Sequence, residues 1–274
     1  MRVLMHRLRA HYLVARAARY REKADYLHAE ALLARARVLV EGSDSTAAVT
    51  VLNGLGLLYK DLGRYDEASE CYRRALTILE GRPRAAHRDI STLYHNLGGI
   101  EHARSRFDVA EPLARKGLAL RLAQQGPDHP AAAADMVALG AILEAQANYD
   151  EAESLYTRSL AIFEQRLGPT HAEVGATLNN LGALYTVTGA FARAETTLVR
   201  ALAIRERRKG ESHPDVAVTL NNLGVLFKRQ RQTERALPLY RRSAAIFRAT
   251  LGETHSRTIT SLANLRVAER DAVA

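Results

Sequence analysis

The sequence has no tryptophan, a single cysteine, and aromatic residues at only 6% of its 274 positions. A lone Cys71 excludes an internal disulfide framework and any zinc site built from cysteines. So few rings in a chain that is 47% hydrophobic predict a core of alanine and leucine. No apolar run approaches the roughly 18 residues that a bilayer span requires. The basic N-terminus is interrupted by Arg and His before a signal-peptide core could form. These absences predict a cytoplasmic, water-soluble protein. No Ser/His/Asp constellation, paired-carboxylate site or phosphate-cradling glycine loop stands out, so no enzyme and no cofactor are expected.

Charge is plentiful but dispersed. The net charge is +9, carried mostly by arginine, with lysine only at 23, 60, 116, 209 and 228. Basic residues scattered between acidic ones form a solvated surface rather than a nucleic-acid footprint.

What the sequence does have is a period. Gly56, Gly98, Gly140, Gly182 and Gly224 recur at a constant 42-residue step, and so do His87, His129, His171, His213 and His255. Tyr65, Phe107, Tyr149 and Phe191 keep the same step, as do Ala68, Ala110, Ala152, Ala194 and Ala236. Several columns in one register mark a repeat architecture. Each unit reads as two helices. In the fourth, Val174, Leu178, Leu181 and Tyr185 recur at helical spacing, Gly189 marks a turn, and Phe191, Ala194, Leu198, Ala201 and Leu202 form a second stripe. Gly182 and Ala194 would let neighbouring helix backbones approach closely.

The segments SHPDVAVTLNNLGVLF (212–227), AEPLARKGLAL (110–120) and YDEAESLYTRSLAIFEQRLG (149–168) resemble the tetratricopeptide repeat, in its 42-residue kinesin-light-chain variety. The likeness runs from about residue 45 to 265 and extends to standalone bacterial proteins of this type. It implies an all-α, right-handed superhelical solenoid of antiparallel helix pairs, with first helices lining a concave surface. Residues 45–253 read as five repeats, 254–274 as a C-terminal capping helix, and 1–44 as a basic N-terminal helix followed by a degenerate capping helix. The fifth repeat lacks the turn glycine and aromatic, having Arg231 and Thr233, and its helix pair is expected to splay.

The histidines look like a metal array, but equivalent positions in successive repeats lie about 10 Å apart, too far to share an ion. Most follow a helix-capping residue (Asp128, Thr170, Ser212, Thr254), and Pro130 and Pro214 fall in the first turn where the missing N–H costs little. They are read as marking helix starts, and no metal site is expected. Cys71 shares a column with Leu113, Leu155 and Leu239, which makes it a packing residue.

The asparagines are different. TLNNLGALY (177–185) and TLNNLGVLF (219–227) carry paired amides on an otherwise apolar helix. Asn96, Asn180, Asn222 and Asn264 form one column; Asn53, Asn179 and Asn221 belong to the neighbouring one, with His95. Asn lowers helix propensity, while its amide offers donors and an acceptor that suit the backbone of an extended peptide. The resemblance implies the same, since kinesin-light-chain-type repeats hold cargo peptides at these positions. The alternative is that the amides bridge adjacent helices. Val137 and Ala138 interrupt the polar ladder, with Ala134, Ala141 and Ala145 on the same face. A carboxylate clamp of the chaperone-binding kind is not expected, because its lysine position holds Thr92, Ala176, Val218 and Thr260; Lys228 and Arg229 favour an acidic ligand segment.

The expected function is a protein-interaction scaffold binding a peptide or partner segment in its groove. The competing reading concerns residues 2–24, where Arg2, Arg9, Arg16 and Lys23 make a basic stripe and Leu4, Leu8, Tyr12 and Ala15 an apolar one. Such a helix can lie on an anionic membrane or carry a filament contact, or it can simply pack its apolar stripe on the first repeat.

Overall fold

A computed structural model describes residues 2–23, 25–81 and 87–273, with side chains for 4–21, 23, 25–81 and 90–272. The described residues are helical, without strands, and fall into two compact units, Met1–Pro127 and Asp128–Ala274. The first unit holds α1 (Arg2–Glu22), α2 (Tyr26–Leu39), α3 (Thr46–Asp61), α4 (Tyr65–Glu80), α5 (His87–Ala103) and α6 (Phe107–Gln125). The second holds α7 (Pro130–Ala145), α8 (Tyr149–Leu167), α9 (Ala172–Thr188), α10 (Phe191–Lys209), α11 (Pro214–Arg229), α12 (Thr233–Leu251) and α13 (Ser256–Val273). Within each unit consecutive helices pack in pairs, α1 with α2 through α5 with α6, and α7 with α8 through α11 with α12; α13 packs on α12.

From the pair of α3 and α4 onward, the turn inside each pair is set by one column. Gly63, Ser105, Ala147, Gly189 and Arg231 keep the repeat step and all have positive φ, from 57° to 82°. Just past the turn, the amides of Arg64, Arg106, Asn148 and Gln232 donate to the carbonyls of Tyr59, Glu101, Leu143 and Phe227 at 2.8–2.9 Å. This is the Schellman pattern that closes a helix with a left-handed residue. At Ser105, Ala147 and Arg231 the conformation is held without glycine, at a cost of about 1 kcal/mol each. The fifth pair therefore does not splay. Arg231 takes the left-handed turn, Thr233 opens α12, and Ser243 Oγ donates to the Ala217 carbonyl at 2.8 Å to tie α12 to α11.

The histidines start helices, as their position suggests, but they do the capping themselves. Nδ1 of His129, His171, His213 and His255 accepts from the amides of Ala131, Glu173, Asp215 and Arg257 at 3.1–3.3 Å. An acceptor Nδ1 places the ring proton on Nε2. Asp128, Thr170, Ser212 and Thr254 stand one residue outside the cap, because the imidazole reaches the second amide of the helix first. The side chain of His87 lies outside the described residues.

Inside the pairs, glycine makes room for a side chain. A Cβ on Gly56, Gly140 or Gly224 would come within 2.4–2.7 Å of the rings of Tyr72, Tyr156 or Tyr240, and one on Gly182 within 2.4 Å of Leu198. Gly182 is thus a slot for a facing side chain rather than a point where two backbones meet. The three tyrosines are among the largest fully or almost fully buried residues, so the core of alanine and leucine also carries one ring in each of these pairs. Exposed arginines tie successive pairs together. Arg193 bonds Glu153 at 2.6 Å and lies over the Tyr185 ring, and Arg235 repeats this one repeat later with Glu195 and Phe227. Such pairs add little stability singly; their repetition fixes register.

Helix α1 packs differently from its expected stripe. Ala10, Leu13 and Ala17 are buried against Ala29, Leu33 and Ala36 of α2, whereas Leu4, Leu8 and Tyr12 are 57–61% exposed. Small side chains at 10 and 17 allow the close helix contact that a leucine and a tyrosine would prevent.

Candidate functional site

The asparagine columns lie on first helices, and a fixed rule relates them. In the first unit the Asn96 amide on α5 donates to Asn53 Oδ1 on α3 at 3.1 Å. In the second, Asn222 on α11 donates to Asn179 Oδ1 on α9 at 3.2 Å, and Asn264 on α13 to Asn221 Oδ1 at 3.0 Å. Each bond spans 43 residues, from one first helix back to the one before it. Asn179, only 6% exposed, also accepts from Thr219 Oγ1 at 3.1 Å. The amides therefore bridge neighbouring repeats, and the half-buried ones, Asn53, Asn221, Asn222 and Asn264, keep part of their surface open. His95 is half-buried beside Asn96 on α5.

Asn180 breaks the rule. Its donor would need an acceptor at position 137, which is Val137, and it has no hydrogen-bond partner among the described residues. It stands half-buried across from the patch of Ala134, Val137 and Ala138, which are themselves half-buried on α7. Lys228 and Arg229 already have partners: Lys228 pairs with Asp271, and Arg229 donates to the carbonyls of Thr186 and Val187 at 3.0 and 3.2 Å.

Beside Asn221 and Asn222 opens a cavity of about 270 Å³ lined also by Val218, Phe247, Arg257 and Thr260. Under its polar edge runs a chain of bonds. Arg205 on α10 donates to Thr219 Oγ1 at 2.7 Å and to the Asp215 carbonyl at 2.8 Å, and Thr219 donates on to Asn179. Burial lowers the Arg205 guanidinium from its ordinary value; Asp215 opposes this and Arg257 adds to it. Burial raises the Asp215 carboxyl, but the Lys209 ammonium, with Arg205 and His213, outweighs it and holds Asp215 below the usual range. Of the residues that line the cavity, Arg257 is the charged one, and it stands exposed at the rim.

Arg205 and Arg257 escaped the sequence reading. A signal existed for the first: Leu79, Arg121, Phe163, Arg205 and Phe247 share one 42-residue column, and arginine is foreign to an otherwise apolar position. Arg121, 7% exposed, bonds within its own pair instead, donating back to Thr92 Oγ1 on α5 at 3.3 Å. Arg257 carried no signal, since its place at the cavity depends on how α13 meets α11.

On α1, Arg9, Arg16 and Lys23 are exposed, while the side chain of Arg2 lies outside the described residues. Arg16 sits over the Tyr12 ring, 5.8 Å from its centroid. No helix among the described residues is long and apolar enough to cross a membrane, and no group of His, Cys, Asp and Glu among them could hold a metal ion.

The tetratricopeptide repeat family model matches residues 7–81, 89–165, 132–207, 173–249 and 215–266. A search of curated proteins finds no match. Among solved structures, BtubC (BKLC) from P. vanneervenii is similar at 26% identity and TM-score 0.63, covering 90% of this chain and 93% of its own. A putative kinesin light chain with nearly identical repeats from Podosopora anserina is similar at 22% identity and TM-score 0.59, covering 73% and 94%. The second likeness concerns the fold alone.

Proposed function

The chain belongs to the tetratricopeptide repeat family, and we propose that it is a non-catalytic scaffold holding an extended segment of a partner protein on the first helices of residues 128–274. Repeats of this family commonly mediate contacts between proteins. The observation that carries the finer reading is the cavity beside Asn221 and Asn222. Its amides suit a peptide backbone, Val218 and Phe247 offer an apolar wall, and Arg257 favours an acidic side chain on the ligand. Asn180, whose amide is not used in the inter-repeat ladder, and the small residues of α7 continue the same face. In residues 1–127, Asn53, His95 and Asn96 form a second polar patch of the same kind on α3 and α5. Paired amides then serve twice, bridging repeats and presenting their remaining donors and acceptors to the ligand.

The test is a selection of 16-residue peptides from a phage-displayed library on the full chain, followed by binding of the selected peptides to Asn180→Ala and to Thr260→Lys, which plugs the cavity. Peptides that lose at least tenfold in affinity for Thr260→Lys, with an unchanged melting temperature of the variant, support the groove. Peptides bound equally well by both variants would remove these residues from the site.

A further inference from the structure

Helix α1 is amphipathic twice over. At about 100° per residue, Leu4, Leu8, Tyr12 and Ala15 fall within roughly 80° of one another, opposite Ala10, Leu13 and Ala17, which bury the other side against α2. The outward stripe is open: Leu4 is 61% exposed, Leu8 57% and Tyr12 60%, with Met5 beside them at 60%. Three or four large apolar side chains in one row on a water-facing surface mark a contact site rather than chance exposure.

The repeat register says what kind of contact. Tyr12 stands one 42-residue step before Gly54, and Leu8 one step before Thr50. In α3 that column looks back at the preceding helix pair, since a Cβ on Gly54 would lie 3.0 Å from Leu33 and 3.3 Å from Val14. The same column carries Asn96, Asn222 and Asn264, each of which bonds back to the preceding first helix. On α1 Tyr12 holds the place of Gly54 in this column, with Leu8 one turn before it, and both are more than half exposed.

Charge chooses the occupant. Arg7 flanks the stripe on one side, Arg9 and Arg16 on the other, and Arg19 lies at its end. Among the described residues none of Arg7, Arg9 and Arg19 forms an ion pair. A second copy of α1 would bring cation against cation, and α13 carries exposed Arg257, Arg266 and Arg270 of its own.

We propose that the outer face of α1 docks an acidic amphipathic helix of a partner protein, which lies along Leu4, Leu8 and Tyr12 as a preceding first helix would and sets its carboxylates against Arg7, Arg9, Arg16 and Arg19. The apolar stripe supplies the contact area and the flanking arginines supply orientation and selection by charge.

The probe is a fluorescent 21-residue helical peptide with leucine at every third and fourth position and glutamate on both flanks, alongside a version with lysine in place of glutamate. The full chain should bind the glutamate peptide with micromolar affinity and the lysine peptide at least tenfold more weakly. Leu8→Ser with Tyr12→Ser should weaken the glutamate peptide at least tenfold. Both side chains are exposed, so the variant should melt at the wild-type temperature, and a large drop in melting would itself contradict the exposed placement. Three results overturn the proposal. One is equal binding of the two peptides, or no effect of the double variant. Another is sedimentation with vesicles of phosphatidylcholine and phosphatidylglycerol that the double variant abolishes, without peptide binding, which assigns the face to a lipid surface. The last is concentration-dependent mass in ultracentrifugation that the same variant abolishes, which assigns it to a second copy.

Discussion

Replacing Asn179 with alanine tests the amide ladder most directly. Asn179 Oδ1 accepts from both Asn222 Nδ2 and Thr219 Oγ1, and the residue is 6% exposed, so water replaces it poorly. Each lost bond is worth about 1 kcal/mol. Thr219 keeps a weaker acceptor in the Asp215 carbonyl at 3.3 Å, and Asn222 is half-buried and regains some water. The expected loss is therefore about 1–2 kcal/mol, which in a chain of this size lowers the melting temperature by roughly 2–8 °C. Asn180→Ala is the control one residue away. It breaks no bond among the described residues, and alanine is the better helix former by about 0.5 kcal/mol, so this variant should melt at or slightly above the wild-type temperature. Calorimetry of the two single variants measures the difference. Equal destabilisation by both would show that the ladder does not run through Asn179 and would refute the rule that links each amide to the preceding first helix.

Other consequences follow from the same packing. Gly224→Ala drives a methyl to 2.6 Å from the buried Tyr240 ring and should cost about 1–3 kcal/mol, whereas Gly98→Ala meets Ala110 and Ala114 at an ordinary 3.4–3.5 Å and should be neutral or stabilising in the same urea titration. His213→Ala removes the cap that accepts the Asp215 amide at 3.1 Å and should cost about 1 kcal/mol, with His213→Asn recovering most of it, as read by thermal melting. Burial pushes the Cys71 thiol from 9.0 to about 11. Folding thus favours the neutral thiol, a contribution fully present below pH 9 and lost as pH rises through 11. Iodoacetamide at pH 8 should label the folded chain about a hundredfold more slowly than the urea-unfolded chain, and equal rates would refute the burial.

The period and the two helices of each unit were legible in the residues, because each depends on neighbours a few positions away. The fifth turn was not, since an arginine gives no sign that the packing of α11 on α12 will hold it at positive φ. The histidine column shows how far legibility reaches. It announced helix starts correctly, while the choice between His213 and Ser212 as the cap rested on which side chain reaches the second amide. Glycine at 182 was legible as a packing position, but that it houses Leu198 required the facing helix.

The asparagines and α1 show where local pattern stops. A column of amides announces polar positions on first helices; that Asn222 finds Asn179 while Asn180 finds only valine at 137 is settled by a neighbour 43 residues away in the chain. Likewise the sequence of α1 contains two apolar faces of similar length, and periodicity cannot rank them. Tertiary packing ranked them by volume: Ala10 and Ala17 let α2 come close, and the larger Leu4, Leu8 and Tyr12 were left facing outward. Chain-local rules determine which surfaces a helix has, and only the shape of what it meets decides which surface is buried.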